Sequence, residues 1–99
     1  MKIIVNALQD EVVDANNNTE VSKDFDSSTK ATKKLVTLIC ENDNKNKFVI
    51  SKWLTISNSK SNDDYVKEAH DAAKSEIDKW VTDIASIGKT FNPDTGKME

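Results

Sequence analysis

The chain has 99 residues, of which 36% are hydrophobic and 31% charged, with a net charge of −3. A chain of this length supports one modest core, so we expect a single domain over residues 1–90 and a loosely ordered tail over residues 91–99. The small net charge excludes a strongly basic nucleic-acid binder, and the single cysteine, Cys40, excludes an internal disulfide and a zinc–cysteine site.

The apolar run at the N-terminus is too short for a signal peptide, and no stretch reaches the roughly 20 apolar residues that span a bilayer. A cytoplasmic protein with no membrane association is therefore expected. The basic residues are all lysines, and asparagine and isoleucine are frequent. Such usage is typical of AT-rich coding sequences and favours a low-GC bacterium, a phage or another mobile element as the source.

The first quarter of the chain has the pattern of a hairpin. Residues 2–8 form a β-branched run that predicts a strand, extending toward Val13. Asn16, Asn17 and Asn18 give a strong turn signal, since asparagine tolerates left-handed backbone conformations. The alternation in residues 19–25 predicts a returning strand, and the polar residues 26–33 predict a loop.

The middle of the chain predicts a second antiparallel hairpin. Residues 34–41 and 47–56 are rich in β-branched and aromatic residues, and the polar residues 42–46 lie between them. Both strands are apolar on both of their faces.

Residues 63–87 predict one long amphipathic helix. Ser61 or Asn62 can supply the N-cap, and Gly88 is suited to the left-handed position that ends a helix. Apolar residues recur at spacings of three and four, which draws one continuous stripe: Val66, Ala69, Ala73, Ile77, Trp80, Ile84 and Ile87. The predicted fold is α+β, an antiparallel sheet of three to four strands in two hairpins packed against one long C-terminal helix.

One helix cannot cover both faces of this sheet. A helix about 10 Å wide covers roughly two strands spaced about 4.8 Å apart. The second face must be covered by residues 9–33, by a second copy of the protein or by another partner. We predict an interaction surface on that face around Val36, Leu38, Val49 and Trp53.

The residues that carry catalytic or metal chemistry are too few to form a site. His70 is the only histidine, which excludes a two-histidine metal centre, and Cys40 within an apolar strand is typical of a buried small side chain. Residues 41–47 lack the glycine and the terminal glutamate of a calcium loop. Gly88 and Gly96 are the only glycines, so no glycine-rich phosphate loop exists. We therefore predict no catalytic, metal or cofactor site and no small-molecule substrate.

Two functions remain after these exclusions. The first is a non-enzymatic protein–protein interaction module, either a host-directed inhibitor or a component of an assembly, that associates with itself or with another protein. The alternative is a weak binder of single-stranded nucleic acid. It would use a sheet face on which Phe48 and Trp53 are interleaved with lysines: Lys23, Lys30, Lys33, Lys34, Lys45, Lys47 and Lys52.

Overall fold

The computed structural model describes residues 1–99 and has the α+β architecture that the sequence predicts. Its elements are β1 (Lys2–Val13), a 3-10 turn (Ser27–Thr29), β2 (Ala31–Glu41), β3 (Lys47–Leu54), α1 (Asn62–Ile84), β4 (Phe91–Asn92) and β5 (Lys97–Met98). The first three strands form an antiparallel sheet in the order β1-β2-β3. Helix α1 packs on one side of this sheet.

The loop between β1 and β2 replaces the returning strand that the alternation in residues 19–25 predicts. That prediction is wrong: residues 20–24 are turns and bends, and Val21 is 94% exposed. The cause is the buried carboxylate of Asp14, which accepts hydrogen bonds from the backbone N–H groups of Asn16, Asn18 and Asp26 at 2.8, 3.0 and 3.0 Å. These bonds fold the loop back on itself, because they satisfy backbone donors that a strand would otherwise pair.

The ends of the strands also differ from the sequence-based boundaries. Strand β2 begins at Ala31, inside the segment predicted as loop, because β1 continues to Val13 and supplies hydrogen-bonding partners over the whole length. Strand β3 ends at Leu54 rather than at residue 56. The turn at residues 42–46 is confirmed, with Lys45 at a positive φ of 68°.

Helix α1 begins with a complete capping box. The Ser61 side chain accepts a hydrogen bond from the backbone N–H of Asp64 at 3.2 Å, and the Asp64 carboxylate accepts one from the N–H of Ser61 at 2.9 Å. The helix ends at Ile84, and Gly88 takes a positive φ of 91° within the turns that follow. Ile87 therefore lies beyond the helix and is 64% exposed. The predicted tail forms a short hairpin of β4 and β5 that pairs only with itself.

The core lies between α1 and the inner side of the sheet. It forms two adjacent groups of buried side chains, Val36, Leu38, Leu54, Tyr65 and Ala69, then Cys40, Ala73 and Ile77. The alanines bring the helix close to the sheet. At the far end of the helix the Trp80 ring stacks on Phe48, with centroids 5.7 Å apart and planes inclined by 18°. The core is small, since only 12 of 99 residues are buried.

The molecule is thin and elongated. Its radius of gyration is 17.7 Å, whereas a compact chain of this length has one of about 13 Å. The principal extents are 55, 31 and 19 Å, so the shortest dimension accommodates one helix on one sheet. No helix or second sheet packs on the outer side of the sheet, where only the end at Val13 is covered by the loop between β1 and β2.

Acid should loosen the loop between β1 and β2. Desolvation would raise the pKa of Asp14, but the hydrogen bonds from Asp26, Asn18 and Asn16 outweigh it and hold the pKa below the usual 3.8. A lowered pKa means that the stabilisation is present above the unfolded-state value and is lost as the pH falls through the folded-state value. We expect the amide resonances of Asn16, Asn18 and Asp26 to shift together below about pH 4.

The control for this prediction is Asp14→Asn, which removes the titrating carboxylate and retains one acceptor oxygen. Its free energy of unfolding should fall below that of the wild type near pH 7, and the difference should shrink in acid. An equal difference at both pH values would contradict the assigned role of the carboxylate.

Candidate functional site

The side of the sheet that faces away from α1 carries no helix or further strand between Glu41 and Lys33, and we call this part the open face. Beyond Lys33 the loop between β1 and β2 covers the same side, where Val13 is fully buried and bridged to Thr19. In β2 the odd-numbered residues point to the open face, because Val36, Leu38 and Cys40 are buried beneath the helix. The register between β2 and β3 places Val49, Ser51 and Trp53 on the same side. In β1 the side chains change phase at a bulge between Val5 and Ala7.

Strand pairing arranges the open face as five rows that run across the sheet. The isoleucine row contains Ile4, Ile39 and Val49; the small-residue row contains Ala7, Thr37 and Ser51; the tryptophan row contains Gln9, Leu35 and Trp53. Charged rows lie outside these, with Lys2, Glu41 and Lys47 at one end and Glu11 and Lys33 at the other. From one charged end of the face to the other, the rows in between are apolar, small and apolar in turn.

The two apolar rows remain accessible to solvent. Val49 is 59% exposed and Ile4 40% exposed, while Leu35, Ile39 and Trp53 are half-buried. Large accessible apolar side chains that adjoin one another on a monomer are typical of interaction surfaces.

The small-residue row lies between the two apolar rows. Thr37 is only 8% exposed and lies along β2 between the larger residues Leu35 and Ile39. The hydroxyls of Thr37 and Ser51 are hydrogen-bonded to each other at 2.8 Å. This bond lowers the cost of removing water from the centre of the open face, because the hydroxyls already satisfy part of their bonding capacity.

Glu41 organises the charged end near residues 42–46. Its carboxylate lies 3.7 Å from the Lys2 ammonium, 3.8 Å from that of Lys45 and 3.6 Å from that of Lys47. With Asp43 nearby in sequence, this end carries three positive and two negative side chains, a net charge of +1. The loop at the opposite end, residues 14–30, carries four carboxylates and two lysines, a net charge of −2.

Both edges of the sheet are protected against the addition of another strand. The bulge and the charged residues Asp10 and Glu11 interrupt the edge at β1, which are common devices for blunting an edge strand. At β3 the helix packs over the strand, and the Lys52 ammonium binds the Glu76 carboxylate at 3.0 Å. The unprotected surface is therefore the open face rather than an edge.

The four predicted interaction residues do not share one face. Val49 and Trp53 lie on the open face, as predicted, but Val36 and Leu38 are 0% and 1% exposed beneath α1. The predicted placement of Val36 and Leu38 on an exposed face is wrong, because Val36 pairs with Lys52 and Leu38 with Ile50 on the helix side.

Sequence reasoning missed three apolar members of the open face, Ile4, Leu35 and Ile39. A signal for the last two was present. If β2 ends at Glu41 and β3 begins at Lys47, the antiparallel pairing of these residues sets the register and places Ile39 opposite Val49. Ile4 required knowledge of the pairing between β1 and β2.

The proposed lysine and aromatic platform is divided between the two sides of the sheet. Phe48 stacks on Trp80, and Lys52 binds Glu76, both on the helix side. Lys34 also lies on that side, with its ammonium 5.0 Å from the Tyr65 ring centroid. Of the predicted strand residues, Lys33, Lys47 and Trp53 remain on the open face.

Cys40 and His70 lie in different surroundings. Cys40 is buried against Ala73 and Ile77, and burial raises the pKa of its thiol, which favours the neutral form over a nucleophilic thiolate. His70 lines a groove between β1 and α1, where its Nδ1 is 3.7 Å from the Asp71 carboxylate. These surroundings give no support to a catalytic pair of Cys40 and His70.

Comparison with family models, with curated proteins and with solved structures finds no match. No helix is both long enough and apolar enough to cross a bilayer. The geometry of the open face is therefore the main basis for inferring function.

The two faces can be distinguished by a matched pair of substitutions. Val36→Ala and Val49→Ala remove the same two methyl groups from 0% and 59% exposed positions on adjacent strands. We expect Val36→Ala to lower the free energy of unfolding by about 1.5–3 kcal/mol, since it removes buried apolar surface and leaves a cavity. Val49→Ala should change it by less than about 0.5 kcal/mol.

Chemical denaturation at low protein concentration measures both values without a contribution from association. Equal losses for the two variants would contradict the assignment of the faces.

Proposed function

We propose that this protein is a non-enzymatic protein–protein interaction module that docks through its open face. The observation that carries the proposal is that no helix or further strand lies over the two apolar rows, which are centred on Ile39 and Leu35. The loop of residues 14–30 folds around Asp14 and covers the same side only at its end, at Val13.

Docking is favourable because the open face keeps apolar surface in contact with water. Burial of such surface contributes about 25 cal/mol per Å². A partner can bury the side chains of Ile4, Val49 and Trp53 without rearrangement of the fold. The edges are guarded and the face is open, which favours packing on the face over strand addition. Both roles expected from the sequence, a phage-encoded host-directed inhibitor and an assembly component, use a surface of this kind.

The open face favours a protein partner over single-stranded nucleic acid. Base stacking needs exposed aromatic rings beside free cations. On this face Trp53 is the only aromatic residue among the five rows, and Lys47 lies within 3.6 Å of the Glu41 carboxylate. The apolar side chains Ile4, Ile39 and Val49 have no role in contacting a phosphate backbone.

Site-specific photo-crosslinking tests the proposed surface. A photoreactive amino acid at position 49, on the open face, should crosslink to protein in an extract of the source organism or to a second copy. The same amino acid at position 72, an exposed position on α1, provides the control. Crosslinking at position 49 that does not exceed the control, both in the extract and with purified protein, would overturn the proposal.

Val49→Lys separates protein association from nucleic-acid binding, because the two functions respond in opposite directions. A lysine within the isoleucine row must be desolvated for protein docking, so the yield of crosslinked or associated protein should fall at least about tenfold. Binding of an oligonucleotide would instead strengthen through the added positive charge. A fluorescence titration with single-stranded DNA, repeated at two salt concentrations, measures the second effect.

A further inference from the structure

The order of rows on the open face is nearly symmetric about its centre. The small-residue row, with Thr37 in the middle strand, has an apolar row and then a charged row on each side of it. A surface with this order is complementary to a copy of itself that is turned end for end. Isologous interfaces in two-fold dimers have this property, since each contact occurs twice.

Only one of the two simple two-fold arrangements brings opposite charges together. If the axis ran along the strands, each row would meet its own copy, and Glu41 would face Glu41 of the second copy. If the axis runs across the strands through the small-residue row, Glu41 faces Lys33 of the second copy and Lys2 faces Glu11 of the second copy. The second arrangement also brings the end with charge +1 to the loop with charge −2.

The same arrangement matches the apolar residues of β2 and β3, while on β1 Ile4 faces Gln9 of the second copy. The isoleucine row of each copy packs on the tryptophan row of the other, which places Ile39 over Leu35 and Val49 over Trp53. Sheets packed face to face cross at about 30°, and the long charged side chains at the ends can accommodate this offset. The small residues Ala7, Thr37 and Ser51 meet at the axis, where the two sheets approach most closely.

We propose that the occupant of the open face is a second copy of this chain, packed sheet to sheet in an antiparallel two-fold dimer. This inference rests on the proposed function, because it identifies the partner of the same surface. The result is a four-layer molecule with one helix layer on each outer side and the two sheets inside. The sheet of each copy then covers the open face of the other copy, which the helix of that copy leaves uncovered.

The size of the open face sets the expected affinity. Three strands about 4.8 Å apart and five rows about 6.6 Å apart give a flat footprint of roughly 400 Å² per copy. Uneven side chains increase this area, but the total for two copies still lies at or below the low end of specific interfaces, which bury about 1,200–2,000 Å² in total. We expect a weak dimer with a dissociation constant of about 10–500 µM.

Analytical ultracentrifugation of the purified chain from about 10 µM to about 1 mM should show a monomer–dimer equilibrium. Val49→Lys should weaken dimerisation at least tenfold, because it introduces a charge opposite Trp53 of the second copy. Ala72→Lys adds the same charge on the exposed side of α1 and should leave the equilibrium within twofold of the wild type. Circular dichroism confirms that both variants are folded.

A charge-exchange experiment tests the orientation of the two copies. Lys2→Glu alone and Glu11→Lys alone each place like charges opposite one another twice in a homodimer, so each should dimerise at least threefold more weakly. Mixing the two variants restores both opposite-charge contacts in the heterodimer. Changes within one chain, such as the approach of residue 2 to Glu41, are unaffected by mixing, so recovery on mixing has an intermolecular cause.

The outcomes separate this inference from the proposed function. A wild type that remains monomeric at the highest concentration, or variants that do not recover on mixing, would overturn the antiparallel dimer. If position 49 then still crosslinks to another protein in the cell extract, the interaction module stands and only the second copy is rejected. If neither self-association nor such a crosslink is found, both proposals fail.

Discussion

The rest of the structure depends on the width of one helix. Helix α1 covers the inner face of β2 and β3, where Val36, Leu38 and Cys40 are buried beneath Ala69, Ala73 and Ile77. A single helix cannot shelter a second face, and β2 carries apolar side chains on both of its sides. Leu35 and Ile39 are therefore left on the outer side without a layer above them. The open face is a direct consequence of this composition.

The balance between the two sides explains why association is physically reasonable. Only 12 of 99 residues are buried, so the core of one copy is small for a chain of this length. Binding that is specific to the folded state stabilises it by mass action. Burial of the isoleucine row contributes favourable free energy to association. Addition of a strand at the edges near Asp10 and Lys52 contributes little, because charged side chains lie there.

The sequence predicts the elements whose signals are local and misses those that depend on pairing. The helix start follows from Ser61, and the turn at residues 42–46 follows from its polar residues, because capping and turn chemistry are encoded within a few positions. The prediction of a strand from the alternation at residues 19–25 failed because the Asp14 carboxylate accepts hydrogen bonds from backbone N–H groups as far along the chain as Asp26. Local periodicity carries no information about such contacts. The grouping of Val36 and Leu38 with Val49 and Trp53 failed because faces are shared through strand register, not through similarity of composition.

The bulge in β1 shows how one extra residue determines the surface. Before it, odd-numbered residues such as Ile3 face the helix, and after it even-numbered residues such as Leu8 do so. Without the change of phase, simple alternation would turn Gln9 and Glu11 toward the core and Leu8 toward solvent. The bulge thus keeps an apolar side chain in the core, blunts the edge of the sheet and places the Glu11 carboxylate at the end of the open face. The electrostatic pattern of that face is therefore set by backbone geometry as much as by the order of residues.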